Sequence, residues 1–147
     1  MQRGRYGLAA AAINGKIYAI GGFVAVGVVI EPSVVVEVYD PASNTWSSAA
    51  SMPTGRGYLA AAAVNAKVYA IGGNNVSSFA LNTVEVYDPS SNSWSAAPPL
   101  LTARMQFAAA DTNGLVYAIG GLDGSGLVSA NNEQYQPPVT VYTYLKN

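Results

Sequence analysis

Short apolar segments bounded by turn residues recur along the whole chain. The first is the alanine-rich segment 8–13, which Asn14-Gly15 separates from the apolar segment 16–20. Alanine is the best helix former, but a segment this short is too small for a stable helix. Asn-Gly favours a type I′ turn, because both central residues of that turn need positive φ. The pattern therefore predicts two antiparallel strands joined by a tight turn.

The phrase Tyr-Ala-Ile-Gly-Gly occurs three times, at 18–22, 69–73 and 117–121. The first two copies are 51 residues apart and the next two are 48 apart, which places a three-residue insertion between Gly22 and Glu37. Other residues keep this register: Arg5, Arg56 and Arg104; Glu37, Glu85 and Glu133; Tyr39, Tyr87 and Tyr135; Trp46 and Trp94, followed by Tyr142. A fixed period of this length is typical of repeat folds such as propellers.

Each repeat is predicted to contain four short strands, a to d. Strand a is the alanine-rich segment, strand b carries Tyr-Ala-Ile, strand c alternates apolar and polar residues, and strand d carries an aromatic residue. The predicted strands are a at 8–13, 59–64 and 107–111; b at 16–20 and its equivalents; c at 36–39 and 84–87; and d around Trp46, around Trp94 and at 139–144. Four strands per repeat indicate all-β propeller blades, one at about 5–51, one at about 52–99 and one at about 100–147.

These marks resemble the kelch repeat, in which a Gly-Gly pair after an apolar strand is followed by a tyrosine and then by a tryptophan. The matching residues are Gly21-Gly22, Tyr39 and Trp46; Gly72-Gly73, Tyr87 and Trp94; and Gly120-Gly121 and Tyr135, with Tyr142 in place of the last tryptophan. The segment Met52-Pro53-Thr54, followed by Arg56, is also similar to kelch sequences. The resemblance covers essentially the whole chain and implies a β-propeller, commonly of six blades.

Three blades are half of a six-bladed ring. They are too few to close a propeller alone, since propellers have about four to eight blades. An open half ring would expose two blade faces rich in Val, Ile, Tyr and Trp. The chain starts just before a strand a and ends just after a strand d, so each blade could be completed within one chain. We therefore expect a homodimer that closes a six-bladed ring and buries on the order of 2,000 Å² or more. The alternative is that the chain is an excised half of a longer polypeptide.

Composition excludes several classes of activity. The 147 residues include no cysteine and no histidine, which excludes disulfides, thiolate nucleophiles, zinc ribbons and Ser-His-Asp triads. The net charge is −1 and only 10% of residues are charged, so the basic footprint of a nucleic-acid-binding protein is missing. The longest nearly apolar segment, 17–30, is too short to cross a bilayer as a helix. We expect no metal, no cofactor, no nucleic-acid or membrane partner and, by default, a cytoplasmic location.

The repeated arginines are the first candidate binding residues. The kelch resemblance implies that Arg5, Arg56 and Arg104 line the mouth of the ring, where arginines of some kelch substrate adaptors grip acidic peptides. In a dimer they would form a cationic collar for carboxylate or phosphate groups, that is, for an acidic peptide or a small anionic ligand. The alternative is structural: each arginine bonds blade carbonyls or the glutamate of the same repeat, because buried charges are generally paired.

The connections between strands b and c differ from blade to blade and are the second candidate. The first, 23–32, is apolar and suits either a partner surface or a dimer contact, whereas the second offers Asn74 and Asn75. The third contains Asp123, which is also a candidate ligand-binding residue; we interpret Asp123-Gly124 as a turn and not as a metal site, because one carboxylate alone cannot build a cation site. Loops on a rigid scaffold commonly carry binding.

Three classes of function remain. The leading hypothesis is a binding scaffold that is not an enzyme. An enzyme resembling the sialic acid mutarotases of the kelch class is an alternative, whereas the copper chemistry of the galactose oxidase relatives is excluded because it requires histidine and cysteine. A purely structural ring subunit is the third class.

Overall fold

Each repeat folds into an antiparallel sheet in the computed structural model, which describes residues 1–136. The strands are β1 (Ala9–Ile13), β2 (Lys16–Ile20), β3 (Phe23–Val26), β4 (Val29–Pro32), β5 (Val36–Asp40), β6 (Thr45–Ser48), β7 (Ala60–Val64), β8 (Lys67–Ile71), β9 (Val84–Asp88), β10 (Ser93–Ala97), β11 (Arg104–Met105), β12 (Ala108–Thr112), β13 (Leu115–Ile119), β14 (Leu122–Asp123) and β15 (Asn132–Tyr135). This part of the chain contains no helix long and apolar enough to cross a membrane.

The sheets have the strand order predicted for propeller blades. Blade 1 has the order β1-β2-β5-β6, and blade 2 has the equivalent order β7-β8-β9-β10. The described part of blade 3 is β12-β13-β15, and its predicted fourth strand, 139–144 with Tyr142, lies outside the described residues. The all-β prediction and the four-stranded blade are therefore confirmed.

The predicted hairpin turns are present between strands a and b. Asn14 and Gly15 have φ values of 52° and 73°, and Asn113 and Gly114 have values of 52° and 76°. In blade 2 the turn contains Ala66, which has a φ of 58°. A residue with a Cβ is strained in this left-handed region. Ala66 is therefore the least favourable residue of the three turns.

Replacing Ala66 by glycine is expected to stabilise the protein by about 0.5–1 kcal/mol, because glycine adopts the required positive φ without steric strain. The gain would appear as a higher midpoint of thermal unfolding, followed by circular dichroism. An unchanged or lower midpoint would argue against the hairpin.

The first connection between strands b and c is more ordered than a loop. Its apolar residues form the hairpin β3–β4, in which Phe23 pairs with Pro32 and Val26 pairs with Val29. Gly27 has a φ of 63° at its tip. β-branched residues on both sides of such a turn favour extended strands, a signal that the sequence interpretation of 23–32 did not use.

The hydrophobic core lies between blades rather than inside one blade. One cluster joins blade 1, through residues such as Ile20 and Val36, to Leu59 and Val68 of blade 2. A second cluster joins the other face of blade 2 to blade 3. Aromatic pairs cross both seams: the rings of Tyr18 and Tyr87 are 5.6 Å apart and those of Tyr69 and Tyr135 are 6.0 Å apart. Large side chains thus fill the space between neighbouring blades.

Candidate functional site

Each repeated arginine forms an ion pair inside its own blade. Arg5 Nη2 lies 3.0 Å from Glu37 Oε2, Arg56 Nη1 lies 2.9 Å from Glu85 Oε2, and Arg104 Nη2 lies 2.6 Å from Glu133 Oε1. All three arginine side chains have an exposed fraction of 0%. Because strand c places a glutamate at the same register in each blade, the pairing repeats with the sequence.

Backbone carbonyls accept further hydrogen bonds from the Nη atoms, whereas the Nε atoms of Arg5, Arg56 and Arg104 have no hydrogen-bond partner among the described residues. Arg5 donates to the carbonyls of Ala19 and Val35, at 3.1 and 3.2 Å. The Nη2 atom of Arg56 donates to the Ala70 carbonyl at 3.0 Å. Arg104 donates in the same way to Gly120 and Asn131. Each arginine therefore ties strands b and c of its blade together at one end.

Burial and charge act in opposite directions on these pairs. Burial lowers the pKa of the Arg56 guanidinium, and the Glu85 carboxylate opposes that shift. Burial also acts to raise the pKa of Glu133. Hydrogen bonds from the Leu101 N–H, from Arg104 and from Thr102 outweigh it and leave that pKa below its ordinary value. Burial thus disfavours both charges, and the pairing offsets its effect.

The arginine contacts are those of the structural alternative. The guanidinium groups face carboxylates and carbonyls of their own blades, and they do not form an exposed cationic surface. Binding of an anionic ligand by Arg5, Arg56 and Arg104 stays a prediction, and it would require the ligand to compete with the glutamates.

The polar residues predicted in the connections mostly bond to their own turns. Asn75 Oδ1 accepts hydrogen bonds from the N–H groups of Ser77 and Ser78, both at 3.0 Å. Asp123 Oδ1 accepts from Ser125 and Leu127 at 2.8 and 3.1 Å, as a turn residue does. Their role as ligand-binding residues stays a prediction.

Asn74 is placed differently, beside the segment that leads into blade 2. Its backbone N–H and C=O pair with those of Gly57 at 2.9 and 3.0 Å. The second connection is thereby attached to the start of blade 2, next to Arg56. The Asn74 Oδ1 atom is buried and has no hydrogen-bond partner among the described residues.

The connections between strands b and c also present exposed apolar side chains. Val28, Val76 and Val128 have exposed fractions of 102%, 83% and 87%, one in each blade. We name the following residues of these connections the apolar rim: Val28, Ile30, Val76, Phe79, Leu127 and Val128. Sequence hydrophobicity drew attention to the first connection only and missed Val76, Phe79, Leu127 and Val128, and it could not show that the fold leaves these side chains in solvent.

Contacts between neighbouring connections hold the apolar rim together. The Phe79 ring lies 3.4 Å from the position that a Cβ on Gly126 would occupy, so the second and third connections touch. Under the β3–β4 hairpin, the rings of Tyr6, Phe23 and Tyr58 lie 5.4–6.2 Å from one another. The rim is therefore supported by packed aromatic rings and strand pairing.

The blade topology and the repeated marks define a class of protein, the propeller-type repeat proteins. The family model described as the Kelch motif matches residues 4–53 and 55–101. These matches cover more than half of the chain, and the protein belongs to the kelch-repeat family.

Curated relatives agree with this assignment. An F-box/kelch-repeat protein of Arabidopsis thaliana is 39% identical over 71 residues, which are 48% of this chain and 18% of the relative. Kelch-like protein 35 of Homo sapiens is 36% identical over 73 residues, 50% of this chain and 12% of the relative. The influenza virus NS1A-binding protein homolog of Mus musculus is 39% identical over 75 residues, 51% of this chain and 11% of the relative. The matched stretch is thus less than a fifth of each relative.

Proposed function

We propose that the protein is a binding scaffold that recognises a protein partner through the apolar rim. The observation that carries this proposal is the exposure of apolar side chains in all three connections between strands b and c. Monomeric proteins rarely leave contiguous apolar surface exposed unless it has a binding role. A kelch-repeat relative is itself named as a binding protein for a viral protein, which supports the same class of function.

Charge also favours an apolar contact surface over an anion site. The three repeated arginines are buried and paired, so they contribute no exposed positive charge. The rim residues come from connections that backbone hydrogen bonds hold in place, as where the Arg104 N–H of blade 3 donates to the Leu81 carbonyl of the second connection at 3.0 Å. A pre-ordered apolar surface loses little conformational entropy on binding, which favours affinity for an apolar peptide segment.

Peptide-display selection on the immobilised chain tests this proposal. We expect the enriched peptides to be apolar, and we expect the double substitution Val28→Asp and Val76→Asp to weaken their binding about tenfold or more. The matched control is the double substitution Ala42→Asp and Ser90→Asp, which adds the same two negative charges at exposed positions in the turns between strands c and d, at the other end of the blades. Enrichment of acidic peptides whose binding ignores the rim substitutions would overturn the proposal, and so would an absence of enrichment.

We propose in addition that two copies associate to complete a ring. The support comes from the isoleucine that ends strand b in each blade. Ile20 and Ile71 have exposed fractions of 0% and 1%, whereas Ile119 of blade 3 is 47% exposed. At the other end, Ile17 of blade 1 is 39% exposed, whereas its equivalent Val68 is fully buried. A second copy would cover both faces in the way that blade 2 covers its neighbours.

A further inference from the structure

A hydrogen-bonded clamp joins blade 2 to blade 1. The Trp94 Nε1–H donates to the Ala50 carbonyl at 2.8 Å, and the Ala50 N–H donates to Asn92 Oδ1 at 2.8 Å. Asn92 also accepts from the Tyr87 hydroxyl at 2.8 Å, and the rings of Tyr87 and Trp94 lie 5.3 Å apart. The clamp therefore binds both the backbone N–H and the carbonyl of Ala50, which follows strand d of blade 1.

Blade 1 contains the same clamp already formed. The Tyr39 hydroxyl donates to Asn44 Oδ1 at 2.8 Å, and the rings of Tyr39 and Trp46 lie 5.1 Å apart. The backbones agree as well, since Asn44 and Asn92 have φ values of 53° and 48°. Among the described residues, no backbone N–H donates to Asn44 Oδ1 and no carbonyl accepts from Trp46 Nε1–H, whereas Ala50 makes both bonds in the blade 2 clamp. The clamp of blade 1 is thus ready to receive a backbone segment.

The residues at the asparagine and tryptophan positions of a clamp correspond to whether the residue that it would bind has a backbone N–H. Pro98 stands at the register of Ala50 and has no N–H to donate. In the next blade the asparagine and tryptophan positions are Thr140 and Tyr142, which lie outside the described residues. The Tyr135 hydroxyl is buried with no hydrogen-bond partner among the described residues, and burial raises the pKa of Tyr135 to about 12. Because blade 1 keeps Asn44 and Trp46, we expect its clamp to bind a residue that has a backbone N–H.

Two series of backbone hydrogen bonds also join neighbouring blades. Each series leaves an unpaired group on blade 1 and a complementary unpaired group on blade 3 among the described residues. The N–H of Tyr58 donates to the Gly7 carbonyl at 2.7 Å, and the N–H of Gln106 donates to the Tyr58 carbonyl at 2.9 Å. Within the described part of the chain this series leaves a donor on Gly7 and an acceptor on Gln106 without backbone partners. Blade 1 thus ends in a donor where blade 3 ends in an acceptor.

The Gly-Gly pairs form the second kind of bond, in the opposite direction. Gly22 and Gly73 donate their N–H groups to the carbonyls of Arg56 and Arg104, both at 2.9 Å. The equivalent donor on blade 3 is Gly121, and the equivalent acceptor on blade 1 is Arg5. Neither the Gly121 N–H nor the Arg5 carbonyl has a backbone partner among residues 1–136. Both kinds of bond therefore fit a head-to-tail contact between blade 3 and blade 1.

We propose that Asn44 and Trp46 bind the backbone that follows the predicted strand d of blade 3 in a second copy, so that the seam between copies repeats the seam between blades 1 and 2. This inference rests on the proposed self-association and assigns its recognition residues. The contact is heterologous, and two such contacts close a ring around a two-fold axis. By the repeat register the received residue is Lys146, which has an N–H and lies outside the described residues.

Sedimentation equilibrium of the full chain and of the Trp46→Phe variant tests the clamp. Phenylalanine keeps an aromatic ring and removes the Nε1–H, so we expect a loss of about fivefold in each seam and about 25-fold in the dimer dissociation constant. Trp94→Phe is the matched control. It removes the same bond within one chain and is expected to lower the midpoint of thermal unfolding without a comparable change in the dissociation constant.

A second variant tests the same seam from blade 3. A Cβ on Gly21 would lie 2.6 Å from the Arg56 carbonyl oxygen, and one on Gly72 would lie 2.6 Å from that of Arg104. At Gly120 the nearest described atom is the Ser129 carbonyl oxygen, at 3.6 Å. In the proposed seam the Arg5 carbonyl of the second copy takes this place. Gly120→Ala is therefore expected to weaken the dimer about 100-fold or more.

The outcomes separate the clamp from the self-association. A dimer that weakens with Trp46→Phe and Gly120→Ala supports the seam. A dimer with an unchanged dissociation constant in both variants overturns the clamp and leaves the self-association standing. A wild-type chain that stays monomeric at all concentrations overturns both.

Discussion

Replacing Glu85 by alanine is expected to lower the free energy of unfolding by about 3–5 kcal/mol, because Arg56 would remain buried with its charge unpaired. The Arg56 side chain is fully buried, and Glu85 is its only carboxylate partner among the described residues. Urea unfolding followed by circular dichroism measures the loss. Arg56→Ala tests the same pair: a large loss of stability supports a structural role, whereas unchanged stability with loss of a bound ligand supports a binding role.

Two controls accompany this prediction. The double substitution Arg56→Met and Glu85→Met is expected to recover most of the stability, because replacing a buried ion pair by apolar residues is often neutral. Lys16→Ala breaks the partly exposed pair with Asp40, whose atoms lie 3.3 Å apart, and is expected to cost less than about 1 kcal/mol. A Glu85→Ala protein as stable as Lys16→Ala would show that the buried pair contributes little.

Gly72→Ala is expected to destabilise the protein by about 3–5 kcal/mol, through backbone strain and overpacking together. Gly72 has a φ of 57°, and its Cβ would lie 2.6 Å from the Arg104 carbonyl oxygen and 2.8 Å from the Phe107 ring. The carbonyl belongs to the next blade, so relief of the clash would require the blades to separate. The midpoint of urea unfolding measures the loss.

Gly15→Ala is the matched control for this substitution. Gly15 also has a positive φ, 73°, but no atom lies within 4 Å of its Cβ position. Only the backbone term applies, so the expected loss is about 0.5–1 kcal/mol, the converse of the gain expected from Ala66→Gly at the equivalent position. Equal losses at the two positions would contradict the close packing of the blades.

The strands of the blades could be predicted from the sequence because their signals are local. Turn dipeptides such as Asn14-Gly15 mark the ends of strands a and b, and three copies in one register reinforce each signal. The hairpin over 23–32 had no such reinforcement, since the other two blades have different residues there. Its apolar character was visible, but its strand pairing follows from a turn at Gly27 that the sequence interpretation did not recognise.

The candidate site depended on exposure, which is not a local property. The pairing of Arg56 with Glu85 was one of two alternatives, because the shared register put both residues in the same blade without showing which way their side chains point. The apolar rim and the clamp of Asn44 and Trp46 required the distances between blades. Clamp residues such as Asn92 lie 42 positions from the residue that they hold, so no local pattern reveals them.

Light scattering of the full chain tests most directly whether a second copy completes the ring. We expect a particle of twice the chain mass of 15.2 kDa at micromolar concentrations and above. A particle of 15.2 kDa at every concentration would contradict it.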